Sequence, residues 1–232
     1  MTRPRNILFD VGGTLLHVDR GFILSCLAER GVHRDDAEFA AADYRGREAM
    51  ALILRSGNPG TDTIRWRAYA GTLLKELGCS DEDAMAVGMR VREHNTNGRL
   101  WGHVEKGTAE TLQQLKDDGY RIAVVSNSDG RVAEFLAHAG LAHYFEIIVD
   151  SGTEGVEKPD PRLFLIACER LGIDPAETLY VGDLYEIDVV GARAAGITAL
   201  LIDPADTCPD ADCDRIQAIP EILDWLADPA RG

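Results

Sequence analysis

The chain has 232 residues, 45% hydrophobic and 27% charged, the composition of an ordinary globular protein with room for one large domain or one domain carrying an insert. Lys and Arg number 24 against 39 Asp and Glu, a formal net charge of −15. So acidic a surface repels phosphodiester backbones and anionic membranes and excludes both as main partners, while a local cationic pocket still admits a small anionic substrate at physiological salt.

Arg5 to Val11 predicts a buried strand: Ile7, Leu8 and Phe9 run together until Gly12-Gly13 breaks them. The polar, basic start is no signal-peptide core, and no run approaches the ~20 apolar residues of a membrane span. From about residue 19 to 98 the pattern is wholly helical. Phe22, Ile23, Cys26 and Leu27 share a face, and Ala37 to Leu54 is a second amphipathic run. Ser56-Gly-Asn-Pro-Gly60 is a breaker, and Thr61-Asp62 restarts a helix. Ile64 to Leu77 ends at the C-cap Gly78. Ala84 to Val91 is opened by Ser80 and Asp83, an acidic variant of a capping box.

From about residue 99 the pattern alternates. Helices are predicted over 108–116, 131–138, 161–171, 186–195 and 220–226, and strands over 121–126, 145–149, 178–181 and 198–202. Such alternation argues for a parallel sheet covered on both faces, an α/β fold with a Rossmann-like, doubly wound core. The core would comprise residues 1–18 and 99–232. Residues 19–98 would be an inserted helical domain, placed to close over the end of the first strand. The five cysteines, Cys26, Cys79, Cys168, Cys208 and Cys213, fit reduced thiols in a cytoplasm better than a disulfide framework. Cys208 and Cys213 share a polar loop and could pair or hold a metal, but no second Cys/His pair stands nearby to complete a zinc site.

Ligands of open α/β sheets sit at the carboxyl ends of the strands. There the sequence places Asp10, Gly12, Gly13 and Thr14 after the first strand, and Ser126 and Asn127 after the second. Lys158-Pro159 precedes the helix of the third unit, and Gly182-Asp183 follows the fourth strand, with Asp188 beyond. The set is chemically coherent. A carboxylate can attack phosphorus and form an aspartyl-phosphate. Carboxylates with a carbonyl oxygen suit Mg²⁺. A hydroxyl, a lysine and peptide N–H groups neutralise phosphoryl oxygens in the transition state.

Phe9-Asp-Val-Gly-Gly-Thr-Leu15, Val124-Val-Ser-Asn127, Glu157-Lys-Pro159 and Gly182-Asp-Leu-Tyr-Glu-Ile-Asp188 resemble the four ordered motifs of the haloacid dehalogenase superfamily. The helical insert is similar to the α-helical cap of its phosphoglycolate-phosphatase-like members. The resemblance covers essentially the whole chain. It implies that Asp10 is the nucleophile and a Mg²⁺ ligand, and that the Gly12 carbonyl and Asp183 are further ligands, with Asp188 supporting the same site. It implies that Ser126 binds the transferred group and Lys158 balances the charge of Asp10 and phosphate. Thr14 orders the first loop, and Gly13 and Asn127 belong to the phosphate cradle. The implied partner is a small phosphorylated molecule, and the chain would be a monomer or homodimer.

The sequence departs from the pattern at Gly12. Phosphatases of the superfamily carry there an Asp that protonates the leaving alcohol and then deprotonates water. Such a group is worth about 10²–10⁴-fold, so alkyl phosphates should suffer and good leaving groups should not. His17 is the nearest substitute acid in sequence. The departure keeps alternatives open: a 2-haloacid dehalogenase, with Arg45, Arg47, Arg65 or Arg67 holding a substrate carboxylate; a phosphonatase-like hydrolase, for which Lys75 is the lone lysine of the insert; or a weakly catalytic phosphate binder. Plain structural roles stand beside each functional one. Asp10 could cap a turn, Ser126-Asn127 could be a turn, Lys158-Pro159 could only cap a loop, and Asp188 could complement a helix dipole. His94 and His103 read as surface or packing residues. Tyr44 and Trp66 read as packing between helices of the insert, with Arg45 beside them as a candidate substrate contact.

Overall fold

A computed structural model describes residues 4–56, 62–204, 206 and 208–228. The chain divides into two compact units, residues 1–17 with 102–232 and residues 18–101. Of the expected breaker Ser56–Gly60, residues 57–60 lie outside the described residues, as does Thr61 of the expected helix start.

β1 (Asn6–Phe9) is buried along its whole length, as an uninterrupted apolar run demands of a strand covered on both faces. β2 (His17–Val18) leads out of the first unit. Four helices follow among the described residues: α1 (Arg20–Ala28), α2 (Asp36–Arg55), α3 (Asp62–Glu76) and α4 (Asp81–Thr96). β3 (Trp101–His103) leads back and pairs with β2. Then come α5 (Thr108–Asp117), β4 (Arg121–Ser126), α6 (Val132–His138), β5 (Ile148–Asp150), α7 (Ser151–Glu154) and α8 (Pro161–Leu171). The chain ends through β6 (Thr178–Gly182), a π-helical turn (Tyr185–Val189), α9 (Val190–Ala194), β7 (Thr198–Ile202), β8 (Asp214–Ile216) and α10 (Ile222–Ala227).

Six strands form one parallel sheet in the order β5-β4-β1-β6-β7-β8. β1 is central, with Phe9 beside Val124 on one side and Val181 on the other. Leu8, Ala123, Val125, Tyr180 and Leu201 share one face with Leu163, Phe164 and Ala167 of α8 and Ala192 of α9. This is the α/β Rossmann-like core expected from the alternation.

Several boundaries differ from the sequence reading. β8 was not expected, because Asp-Arg-Ile buries one residue at the sheet edge and carries no periodic signal. β5 starts at Ile148 rather than 145; Phe145 closes a short turn and sets its ring edge-on to Phe9, 6.3 Å away. The expected helix over 186–195 is split into the π turn and α9.

In the second unit the starts of α1, α2 and α4 are set by side-chain caps, each worth about 1 kcal/mol. Asp19 accepts from the Phe22 N–H, and Asp35 with Glu38 forms a capping box. Ser80 accepts from the Asp83 N–H at 3.1 Å. Trp66 packs edge-on against Tyr69 and Trp101, 5.0 Å from each. Among the described residues, no helix is long and apolar enough to cross a membrane.

Candidate active site

The Asp10 N–H continues the ladder of β1 for one residue by donating to the Val181 carbonyl at 2.9 Å. This puts Asp10 at the mouth of the central strand, 7% exposed. The chain then folds into a tight turn. Leu15 and Leu16 both donate to the Val11 carbonyl, and Gly13 donates to the Leu16 carbonyl at 2.8 Å. Thr14 is buried in this turn, and its Oγ1 finds no hydrogen-bond partner among the described residues. Gly12 lies half-buried in the same turn.

Ser126, at the end of β4, donates to Asp10 Oδ1 at 2.8 Å. Lys158 reaches the same oxygen at 2.8 Å, and Asp188 Oδ1 at 2.7 Å. Its third ammonium hydrogen goes to the Tyr180 hydroxyl at 2.8 Å. An ammonium has three donors and no acceptor, so this lysine, 2% exposed, is fully satisfied. Burial alone would lower its pKa, but the carboxylates of Asp10 and Asp188 outweigh that and hold it above the ordinary lysine value. Asp10 Oδ2 receives no hydrogen bond from the described residues.

Asn127 does a different job from its neighbour. Its Nδ2 donates to the Lys158 carbonyl at 3.0 Å and its Oδ1 accepts from the Lys158 N–H at 2.7 Å. The amide thus clamps the lysine's peptide at both ends, ahead of the cis Lys158-Pro159 bond.

Asp188 folds back on its own loop. Its Oδ2 accepts from the Asp183 and Leu184 N–H groups at 3.1 and 2.9 Å. Gly182 makes room for it: a Cβ at that position would lie 2.4 Å from the Asp188 carboxyl carbon. Asp10, Asp183 and Asp188 bring one carboxylate oxygen each to within 4.8 Å of one another. Three carboxylates against one ammonium leave two negative charges in excess. Oxygen donors in this number and charge fit a hard divalent cation such as Mg²⁺.

Two buried residues at this edge were missed by the sequence reading. Tyr180 is one; a hydroxyl-bearing ring in the middle of an otherwise apolar strand was the available signal. Asp150 is the other. From the end of β5 it accepts from the N–H groups of Gly130, Val132 and Gly152 at 2.9–3.1 Å. It thereby starts both α6 and α7 and ties down the loop that leaves Ser126. Ser151 Oγ adds a bond from the Ser128 N–H at 3.0 Å. Gly152 packs so close that a Cβ would lie 2.6 Å from the Gly130 nitrogen.

His17 lies with its ring 6.4 Å from that of His103, which pairs with Glu105. His94 stacks on Phe22 and pairs with Asp19 at 3.1 Å. Arg45 pairs with Glu48 and lies over the Tyr44 ring, and Arg47 pairs with Asp43. Arg65 is buried, whereas Arg67 and Lys75 are exposed on α3.

The profile of the haloacid dehalogenase-like hydrolase family matches residues 4–196. The chain is 28% identical over 240 residues to the glyceraldehyde 3-phosphate phosphatase of Methanopyrus kandleri, a match covering 95% of this chain and 97% of that one. It is 33% identical over 197 residues to the phosphoserine phosphatase of Thermus thermophilus, covering 78% and 76% of the two chains. The solved structure of the HAD-hydrolase YfnB of Bacillus subtilis bound to magnesium matches with a TM-score of 0.70 at 20% identity, covering 98% of this chain and 100% of that one; at that identity the likeness is one of fold. An α/β enzyme with its polar cluster at the strand ends is therefore the class in hand, and it is a hydrolase. The chain belongs to the haloacid dehalogenase-like hydrolases.

Proposed function

We propose that this hydrolase is a Mg²⁺-dependent phosphatase of small phosphorylated molecules, working through an aspartyl-phosphate on Asp10. One observation carries the reading. Ser126 and Lys158 fix one oxygen of Asp10, while the other accepts no hydrogen bond from the described residues and is left to attack. The phosphatase names of the relatives point the same way.

In the proposed reaction an Asp10 oxygen bonds to phosphorus and the bond from phosphorus to the leaving oxygen breaks. Water then attacks phosphorus, releases inorganic phosphate and restores the carboxylate. Asp10, the Gly12 carbonyl and Asp183 would hold Mg²⁺, and Asp188, its Oδ2 already taken by two peptide N–H groups, would support them. When bound, the ion supplies positive charge to oppose that of the phosphoryl oxygens. Lys158 neutralises Asp10 as the anionic substrate arrives, and Ser126 turns its one hydroxyl hydrogen from Asp10 Oδ1 to a phosphoryl oxygen. Gly13 and Thr14 shape the turn of the cradle, and Asn127 contributes by holding the lysine. The helical unit is read as the family's cap, the segment that sets substrate choice, and the expected setting is the cytoplasm.

Gly12 offers no side chain for proton transfer. The enzyme should therefore turn over phosphates whose leaving group is already a weak base and be slow on alkyl phosphates. Gly12 also favours a second reading, a weakly catalytic phosphate binder. Turnover of p-nitrophenyl phosphate with and without Mg²⁺ separates them. Metal-stimulated release of nitrophenol supports the phosphatase. Binding of inorganic phosphate with no turnover at high enzyme concentration supports the binder, and metal-independent halide release from 2-chloropropionate would support carbon–halogen hydrolysis on Asp10.

A further inference from the structure

We propose that Tyr180 is a positioning residue for Lys158, one that takes the third ammonium hydrogen and so aims the other two at Asp10 and Asp188. The proposal rests on the reading of Asp10 as the reacting carboxylate.

Tyr180 stands in the middle of β6, fully buried, among residues that are otherwise apolar or small. Its ring does ordinary core work, packing edge-on against Phe164 at 4.8 Å. A phenylalanine would serve that purpose without the penalty of a buried hydroxyl, which is tolerable only when the hydroxyl is hydrogen-bonded. Here the hydroxyl is engaged on both sides, and the chemistry fixes the direction of each bond. A carbonyl only accepts, so the phenol donates its one hydrogen to Val125 at 2.8 Å. An ammonium only donates, so the phenol oxygen accepts from Lys158 at 2.8 Å. Asp188 Oδ1 is the phenol's other possible acceptor, but at 3.2 Å it lies farther than the Val125 carbonyl, so the hydrogen goes to the carbonyl.

Val125 immediately precedes Ser126. The same hydroxyl therefore ties β6 to β4 across the central strand that carries Asp10, and sets the lysine against both. Lys158 comes from the loop before α8, on the sheet face where Tyr180 points. Without the phenol oxygen, the ammonium keeps two acceptors and gains freedom to rotate away from either.

The test compares Tyr180→Phe with Phe164→Leu. The first keeps the ring and removes the hydroxyl; the second loosens the ring and leaves the hydroxyl. With p-nitrophenyl phosphate and saturating Mg²⁺, Tyr180→Phe is expected to lower kcat roughly tenfold with KM within about twofold. It should also shift or broaden the ¹⁵N signal of the Lys158 ammonium. Phe164→Leu is expected to lower Tm while leaving kcat and that signal in place. A Tyr180→Phe enzyme with wild-type kcat and an unchanged ammonium signal overturns the proposal, as does a kcat loss of equal size in both variants. If the wild type itself shows no metal-stimulated turnover, the reading of Asp10 fails, and the ammonium signal alone decides the role of Tyr180: retained in Tyr180→Phe, it overturns the role; lost, it supports it.

Discussion

The buried Lys158 ammonium lies 2.8 Å from Asp10 Oδ1 and 2.7 Å from Asp188 Oδ1. This buried bridge makes the strongest stability statement of the site. Lys158→Met removes the only cation in contact with the two carboxylates among the described residues. Breaking a buried pair from one side costs about 3–5 kcal/mol, so Tm should fall by roughly 10 °C in a chain of this length. The folded pKa of Lys158 is raised above the ordinary 10.5. Its contribution is therefore fully present below that value and lost as pH climbs through the folded value. Urea unfolding of wild type and variant at pH 7, 9 and 11 should show an equal gap at the first two and a shrinking gap at the third.

Asp150 predicts a second, separable effect. Asp150→Ala leaves the N–H of buried Val132 without its acceptor, along with those of exposed Gly130 and Gly152, and a loss of about 1–3 kcal/mol is expected. The loop after Ser126 should loosen with it. Hydrogen exchange at Gly130, Val132 and Gly152 should speed up together, while exchange in β7 stays near wild type.

Much of this site was legible in the sequence, and the reason is physical. Ligands of open α/β sheets sit at the carboxyl ends of the strands, and Asp10, Ser126 and Asp183 each follow an apolar run there, with Lys158 just before a helix, so the order of the motifs pointed to where they would meet. Tyr180 left only a weak signal, a hydroxyl-bearing ring in an apolar strand, because packing and hydrogen bonding of a tyrosine look alike until the fold sets its hydroxyl beside the lysine. Asp150 reads locally only as the cap of a short helix; its bonds to the Gly130 and Val132 N–H groups, about twenty residues away, have no local pattern to mark them. The same limit applies to Asn127: the motif placed it in the cradle, but only the fold shows both ends of its amide spent on the Lys158 peptide. The π turn at Tyr185–Val189 reads as ordinary helix in sequence, because the wider turn shifts the periodicity over five residues only.

Burial, and behind it Asp174, pushes the Cys168 thiol up to about 11. At pH 8 it should be among the slowest of the five cysteines to react with iodoacetamide in the native protein, and peptide mapping of the labelled protein checks this. The sign of the linkage follows. A thiol whose folded pKa lies above its ordinary 9.0 contributes stability in full below pH 9 and loses it between pH 9 and about 11.

Gly12→Asp restores a proton-transfer group two residues after the nucleophile. Turnover of an alkyl phosphate such as glycerol phosphate should rise at least about tenfold, with a smaller gain on p-nitrophenyl phosphate. Unchanged turnover on both would show that another group already moves the proton.

The absence of a side chain at Gly12 also makes a claim about timing. With a good leaving group, transfer to Asp10 needs no acid, but water attack on the aspartyl-phosphate still lacks its base, so the second half of the reaction should limit turnover. The most direct measurement is rapid-quench kinetics with p-nitrophenyl phosphate and Mg²⁺, followed by peptide mapping of the quenched enzyme. The account predicts a burst of nitrophenol approaching one equivalent per active site, with the phosphoryl group on the Asp10 peptide and no burst in Asp10→Asn. Metal-stimulated turnover with no burst and no phosphoryl group on Asp10, or undiminished turnover in Asp10→Asn, would contradict it.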